Sequence, residues 1–399
     1  MPAIEVKPGI YWIGINDRTT DLFEGIWPIT QAGVSYNSYL VMDQKKALID
    51  LTREAQEGSF LDQIEDVLDP AELDYIVLNH MEPDHTGALG RIRRLAPQAT
   101  ILCTAKAKDM LDAFFGITDG VQVVGDGETI SLGNKALQFF AVPFVHWPET
   151  MVTYEPCEKV LFACDAFGGY GALRGAIFDD QCADIDFYIQ ESLRYYVNIV
   201  ARFSGPVLRA IDKLGGIDIE VIAPSHGLVW RHDPGRIVSL YQHWAQYATS
   251  PGDPGVTLIY GSMYGKTEEM MNAVAGGVAK TDIPMEIFDA ARTHSSYILP
   301  SLWTKNGVLV GAPTYEVSLF PPMTQVLEMA NHKRIKNRRA AYFGSYGWSG
   351  GAYKDCVKLT EPLEWEWVEA LEVQGRPSRE DLHRAEDLGE RFANLITKG

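Results

Sequence analysis

Four metal-ligand-type side chains are packed into the run His80-Met81-Glu82-Pro83-Asp84-His85, and three more follow as His146, Asp165 and His226. Sixty residues separate His85 from His146, 18 separate His146 from Asp165, and 60 separate Asp165 from His226. The set holds four imidazoles and three carboxylates, enough donors for two metal ions. A lone histidine is usually a hydrogen-bonded or surface residue, but seven donors in this order constrain the fold to bring them together.

The local sequence supplies a way of doing so. Tyr75-Ile76-Val77-Leu78 reads as a buried strand, and His80 opens the loop at its carboxyl end. Each later donor also follows an apolar segment: Phe139-Phe140-Ala141-Val142 before His146, Val160-Leu161-Phe162-Ala163 before Asp165, and Ile219-Glu220-Val221-Ile222 before His226. One edge of a sheet pair then receives the whole set, on loops of the kind that carry function. Further strands are expected at Ile10-Tyr11-Trp12-Ile13-Gly14, Tyr39-Leu40-Val41-Met42 and Ala47-Leu48-Ile49-Asp50. Helical periodicity appears over 187–202, 205–213 and 234–247, the last with Pro234 at its start. Cys164 invites a ligand reading, but strand alternation places it on the face opposite Asp165, as buried packing.

The donor pattern resembles the metallo-β-lactamase superfamily, whose usual signature is H-x-H-x-D-H followed by distant His, Asp and His. Here Glu82 stands at the second His. Imidazole-rich sites suit zinc, whereas a balance of imidazole and carboxylate suits iron cycling between ferrous and ferric states. This H-x-E-x-D-H variant looks like the flavodiiron proteins. The resemblance implies that His80, Glu82 and His146 bind one iron, that Asp84, His85 and His226 bind the other, and that Asp165 bridges them. His85 is the least secure of these ligands. The implied fold is α/β, a lactamase-like αβ/βα sandwich followed by a flavodoxin-like doubly wound parallel sheet.

The remainder of the chain tests that idea independently. After the Gly/Pro-rich stretch Ser250-Pro251-Gly252-Asp253-Pro254-Gly255, which reads as a linker between domains 1–250 and 251–399, a strand Val256-Thr257-Leu258-Ile259-Tyr260 begins. It runs into Ser262-Met263-Tyr264-Gly265-Lys266-Thr267 and a helical Glu268 to Val278. Strand, hydroxyl-rich loop and helix start make an anion cradle, in which backbone amides, the helix dipole, Ser262, Tyr264 and Thr267 face a phosphate. Two later strands end in comparable loops, one at Pro313-Thr314-Tyr315 and one at Ser345-Tyr346-Gly347-Trp348 with Gly350 and Gly351. In a doubly wound sheet such loops meet beside the phosphate site, where a flat ring is held. Residues 256–399 thus resemble a flavodoxin binding FMN.

Other fingerprints are missing. The sequence has neither the dinucleotide G-x-G-x-x-G after a strand nor the Walker loop. Cys103, Cys157, Cys164, Cys182 and Cys356 are scattered with no C-x-x-C pair, so no rubredoxin module is appended. With 35 basic against 53 acidic residues, the net charge of -18 argues against nucleic acid and anionic membranes. The N-terminal residues lack a signal peptide, no run approaches the ~20 apolar residues of a membrane helix, and the unpaired cysteines suit a reducing cytoplasm.

Taken together, the resemblance implies a cytoplasmic oxidoreductase that reduces O2 to water, NO to N2O, or both, with FMN feeding two non-haem irons. It implies a head-to-tail homodimer or a dimer of dimers, and an electron donor such as a rubredoxin or a reduced deazaflavin. Two departures stand out: Glu24 lies where many members have a His near the irons, and Gly261 where relatives often have Asp. The competing readings are a zinc hydrolase fused to a flavodoxin domain and an electron carrier with a structural metal site.

Overall fold

The computed structural model of the protein describes residues 2–398. The chain forms two compact units, Met1–Ala245 and Gln246–Gly399. Among the described residues no helix is long and apolar enough to cross a membrane.

The first unit contains two large sheets. One has seven strands that follow one another in space as in sequence: β1 (Ile4–Lys7), β2 (Ile10–Trp12), β3 (Tyr39–Met42), β4 (Lys46–Ile49), β5 (Tyr75–Val77), β6 (Thr100–Cys103) and β7 (Val121–Val123). Pairing is antiparallel up to β4 and parallel beyond it. The parallel strands are covered by helices such as Glu57–Glu65 and Ala105–Phe115, whose Phe60, Ile64 and Leu111 pack on Leu48, Ile76 and Ile101. The other sheet has the order β8 (Thr129–Ser131), β9 (Ala136–Ala141), β10 (Met151–Glu155), β11 (Val160–Cys164) and β12 (Val221–Pro224). Tyr39 on one sheet meets Phe162 on the other with ring centroids 5.2 Å apart, and its hydroxyl donates to the Pro224 carbonyl. Every residue of β10, β11 and β12 is buried, and β11 and β12 accordingly read as unbroken apolar runs rather than as alternation.

The second unit is a five-stranded, all-parallel sheet. Its strands are β13 (Asp253–Tyr260), β14 (Met285–Asp289), β15 (Lys305–Gly311), β16 (Arg339–Tyr346) and β17 (Glu366–Gln374), in the spatial order β14-β13-β15-β16-β17. That is the 2-1-3-4-5 order of a flavodoxin-like doubly wound sheet, which places ligands at the carboxyl ends of its central strands. On one face, helices Lys266–Val278 and Arg379–Lys398 approach until their backbones touch. A Cβ at Gly277 would collide with the Glu386 carbonyl, and one at Gly389 with the Val274 carbonyl.

Three sequence expectations shift by local physics. The run expected as a linker enters β13 three residues early, because Asp253 pairs with Lys305 ahead of a bulge. The helix expected over 187–202 is regular only over Ile185–Tyr195, then loosens into a π-turn at Tyr196–Val200 and a 3-10 turn at Ala201–Phe203. Ser345 and Tyr346 finish β16 rather than start its loop.

Candidate metal centre

The carboxyl ends of β9, β11 and β12 lie on one edge, since β9 and β11 are both antiparallel to β10 and β12 is parallel to β11. His146, Asp165 and His226 follow these strands, and His80 follows β5. Glu82 lies just before the short helix Pro83–Thr86, which carries Asp84 and His85. All seven donors meet there.

They divide into two sets. His80 Nε2 and His146 Nε2 each stand 3.2 Å from Glu82 Oε2 and 3.5 Å from Asp165 Oδ2. His85 Nε2 stands 3.5 Å from Asp84 Oδ1 and 3.1 Å from Asp165 Oδ1; His226 Nε2 stands 3.4 Å from Asp84 Oδ2 and 3.3 Å from Asp165 Oδ1. Asp165 thus turns one oxygen to each set. Around a first-row divalent metal with ligands at ~2.1 Å, neighbouring donors are about 3.0–3.4 Å apart, the edge of an octahedron or tetrahedron. The observed separations match such edges. Asp84 Oδ1 and Oδ2, His85 Nε2, Asp165 Oδ2 and His226 Nε2 are buried and have no hydrogen-bond partner. An orphaned buried polar atom costs roughly 1–3 kcal/mol, and so many in one place fit metal ions that take their lone pairs.

Surrounding groups aim these donors. His80 Nδ1 donates to Glu149 Oε1 at 2.7 Å and His226 Nδ1 to the Ser35 carbonyl at 2.7 Å, which turns each Nε2 toward the centre as the nitrogen that would ligate. The Tyr195 hydroxyl donates to Asp165 Oδ1 at 2.9 Å. In the metal-free chain burial alone would push the His80 pKa down, but its hydrogen bonds to Glu149 and Glu82 outweigh that and hold it at about 10. His226 is likewise held at about 9, with Asp165 and Asp84 outweighing burial. Against burial, His146 and then His80 hold Glu82, and His85 and then His226 hold Asp165, below the usual carboxylate range.

Beside the centre opens a pocket of about 1090 Å³ lined by Phe23, Glu24, Tyr36, Arg53, Glu82 and Asp84 among others. Glu24, at φ 50 in the tight hairpin between Leu22–Phe23 and Trp27–Pro28, accepts from Trp27 Nε1 at 2.9 Å. Its carboxyl is pushed up to about 8 by burial and then by the charge of Glu82, to which it hydrogen-bonds. The residue at this departure from the family pattern therefore faces the centre as a neutral acid near neutral pH.

Cys164 is buried, as expected, but not on the opposite face. Its left-handed backbone (φ 52) breaks the alternation at the end of β11, and its Sγ lies within 4.8 Å of donor atoms of His85 and Asp165. Glu149, Ser35 and Tyr195 were not legible as partners. Only Glu149 carried a signal, three residues beyond His146 and in the same loop.

In the second unit, the loop Ser262 to Thr267 and the turn at Pro313, Thr314 and Tyr315 follow the adjacent strands β13 and β15, and the segment Ser345 to Gly351 spans the end of β16 and the turn after it. The Thr267 and Ser345 hydroxyls are 3.1 Å apart, and Ala352 N donates to Thr314 Oγ1 at 3.4 Å. Gly265 at φ 82 starts the helix, and its N–H donates to Ser262 Oγ. Tyr264 and Trp348 stand 88% and 77% exposed, available to a planar ring rather than packed in the core. This cradle fits a flavin phosphate.

The family described as ODP family beta lactamase matches residues 34–227, and the flavodoxin family matches residues 258–387. The chain is 35% identical to a nitric oxide reductase of Moorella thermoacetica, over 98% of both chains. It is also 35% identical to an anaerobic nitric oxide reductase flavorubredoxin of Escherichia coli O1:K1 / APEC, over 98% of this chain and 82% of that one. Among solved structures, the rubredoxin oxygen:oxidoreductase of Desulfovibrio gigas superposes with a TM-score of 0.93 at 28% identity, covering 99% of both chains. The flavodiiron protein of Giardia intestinalis superposes with a TM-score of 0.94 at 26% identity, covering 100% of this chain and 97% of that one.

Proposed function

The chain belongs to the flavodiiron proteins, and on that footing we propose that it is an oxidoreductase reducing nitric oxide to nitrous oxide, dioxygen to water, or both, at two non-haem irons supplied with electrons by FMN. The observation that carries this reading is Asp165, with one carboxylate oxygen on each of two donor sets that both mix imidazole with carboxylate. His80, Glu82 and His146 would hold one iron, and Asp84, His85 and His226 the other. The zinc-hydrolase alternative is set aside, since the relatives named for an activity are reductases.

When bound, the paired irons would accept flavin electrons and pass them to the diatomic substrate. The chain's own part is positional. Glu149 and Ser35 fix the tautomers of His80 and His226, and Tyr195 fixes Asp165. The Trp27 indole holds Glu24 beside Glu82 at the pocket wall. In the flavin unit, Ser262 to Thr267 would bind the phosphate, while Tyr264, Trp348 and the turns at Thr314 and Gly350 would bracket the ring.

A homodimer arranged head to tail, with the flavin of one copy serving the irons of the other, meets the need for electron delivery twice through one type of interface. Leu22, Ile26 and Phe114 leave apolar surface exposed in or beside the pocket lining, which supports coverage by a second copy. A rubredoxin or a reduced deazaflavin would reduce the FMN.

Metal and flavin analysis of the purified protein tests the reading. We expect an iron in each donor set and one FMN per chain, with N2O formed from NO or O2 consumed under matched anaerobic and aerobic turnover. Zinc in both sets after iron-replete expression, with neither gas consumed, would refute it. Following flavin bleaching or reduction with each donor separates rubredoxin from deazaflavin.

A further inference from the structure

A second cavity in the first unit, of about 660 Å³, shares no lining residue with the metal pocket. The short strand Ile15–Asp17 runs between them: Asp17 turns to Thr20 and to Arg53 of the metal pocket, while its neighbours Asn16 and Arg18 line the second cavity. Another part of its wall is the helix Glu57–Glu65, which contributes Ser59, Asp62 and Gln63, with Asp66 at its end.

That helix carries features that cost stability with nothing in the chain to offset them. Asp62 and Asp66 are like charges one helical turn apart. Both lie at the carboxyl end, where the helix dipole favours cations, and the last turn holds no basic residue. Among the described residues neither aspartate has an ion-pair partner. Gln63 is 6% exposed; its Nε2 donates to the Gly14 carbonyl at 2.8 Å, which fixes the amide, and its Oε1 is buried without a partner. A cation in the cavity would relieve all of these at once. The lining also holds Arg18, anchored by its Nη2 on the Leu173 carbonyl at 2.5 Å and paired with no carboxylate among the described residues.

We infer that this cavity binds a small molecule carrying a carboxylate and, several bonds away, a cationic nitrogen, the chemistry of a basic amino acid. The carboxylate meets the Arg18 guanidinium, whose planar fork suits it. The cationic group answers Asp62 and Asp66 and donates to Gln63 Oε1. A cation alone would leave Arg18 unanswered, and an anion alone would add to the repulsion at the helix end. The volume is that of a small-molecule site.

The test is equilibrium dialysis of the metal- and flavin-loaded protein against radiolabelled L-arginine. Agmatine, which lacks the carboxylate, and L-citrulline, which has the shape without the side-chain charge, serve as comparisons. We expect one saturable site per chain, and binding about tenfold weaker for each comparison compound, the loss of one charge-assisted hydrogen bond. Arg18→Gln should weaken L-arginine about tenfold without weakening agmatine. Asp62→Asn combined with Asp66→Asn should weaken both. No saturable uptake of L-arginine, agmatine held as tightly as L-arginine, or binding unmoved by the aspartate changes would each overturn the inference. None of these outcomes bears on the metal reading, which iron content tests. Should Arg18→Gln fail to fold, the agmatine comparison in the unaltered protein decides.

Discussion

His80 Nδ1 and Glu149 Oε1 lie 2.7 Å apart with both side chains fully buried, and the same carboxylate oxygen accepts the Met81 N–H at 3.0 Å. Glu149 thereby fixes both the ring of one donor and the backbone that leads into Glu82. Glu149→Gln keeps an acceptor but removes the charge, and should lower metal affinity by about 10–100-fold. Competition against a chromophoric chelator measures this. An unchanged affinity would show that packing alone orients His80.

The metal-free chain should have a narrow pH optimum of stability. His80 and His226 have folded pKa values of about 10 and about 9, above the ordinary 6.5. Their contribution is therefore fully present below about pH 6.5 and is lost as pH rises through 9 to 10. Glu82 and Asp165 are held below their ordinary values of 4.5 and 3.8, so theirs is present above those values and is lost as the solution is acidified further. Melting temperatures should peak between about pH 4.5 and 6.5. Because the imidazoles must shed protons to ligate, metal uptake near neutral pH should release protons, measurable with an indicator in weak buffer.

Glu24 should be protonated near neutral pH in the metal-free protein, since its carboxyl titrates at about 8. An infrared difference spectrum should show a protonated-carboxyl band that fades as pH rises through about 8 and is missing from Glu24→Gln. Persistence of the band in that variant would assign it to another group.

Gly351 sits at φ 152, where a Cβ would collide with the Val317 carbonyl. Gly351→Ala should therefore displace the turn after β16 and weaken FMN retention, seen as flavin lost on gel filtration, while the iron content stays as it was.

Gly277→Ala and Gly389→Ala should each cost about 1–3 kcal/mol in the unfolding of the second unit, the usual penalty of overpacking. Denaturant titration followed by FMN fluorescence reads it. An effect below about 0.5 kcal/mol, the size of an ordinary surface change, would mean that the two helices separate at little cost.

What could be read in advance was whatever lies close in sequence. The donors announce themselves because the chemistry of a metal demands those residue types, and they lie in the segments that follow apolar strands. The loop from Ser262 to Thr267 is legible for the same reason. What was hidden depends on contacts across the fold. Ser35 reaches His226 from 191 positions away, and a backbone carbonyl leaves no mark in side-chain identity. Cys164 was assigned to the wrong face because alternation assumes an extended backbone, and φ 52 is not extended. The π-turn at Tyr196–Val200 begins directly after Tyr195, whose hydroxyl meets Asp165, and no periodicity forecasts where a helix will loosen.

The touching backbones at Gly277 and Gly389 bear on how the protein is made. All seven donors precede residue 227, so the first unit can close while the ribosome is still at work. The helix behind the Ser262 to Thr267 loop leans instead on Arg379–Lys398, which lies far later in the sequence. Domains generally fold as they emerge, N-terminal first. The metal unit is thus ready to mature early in synthesis, whereas the flavin unit must wait for a helix that emerges much later.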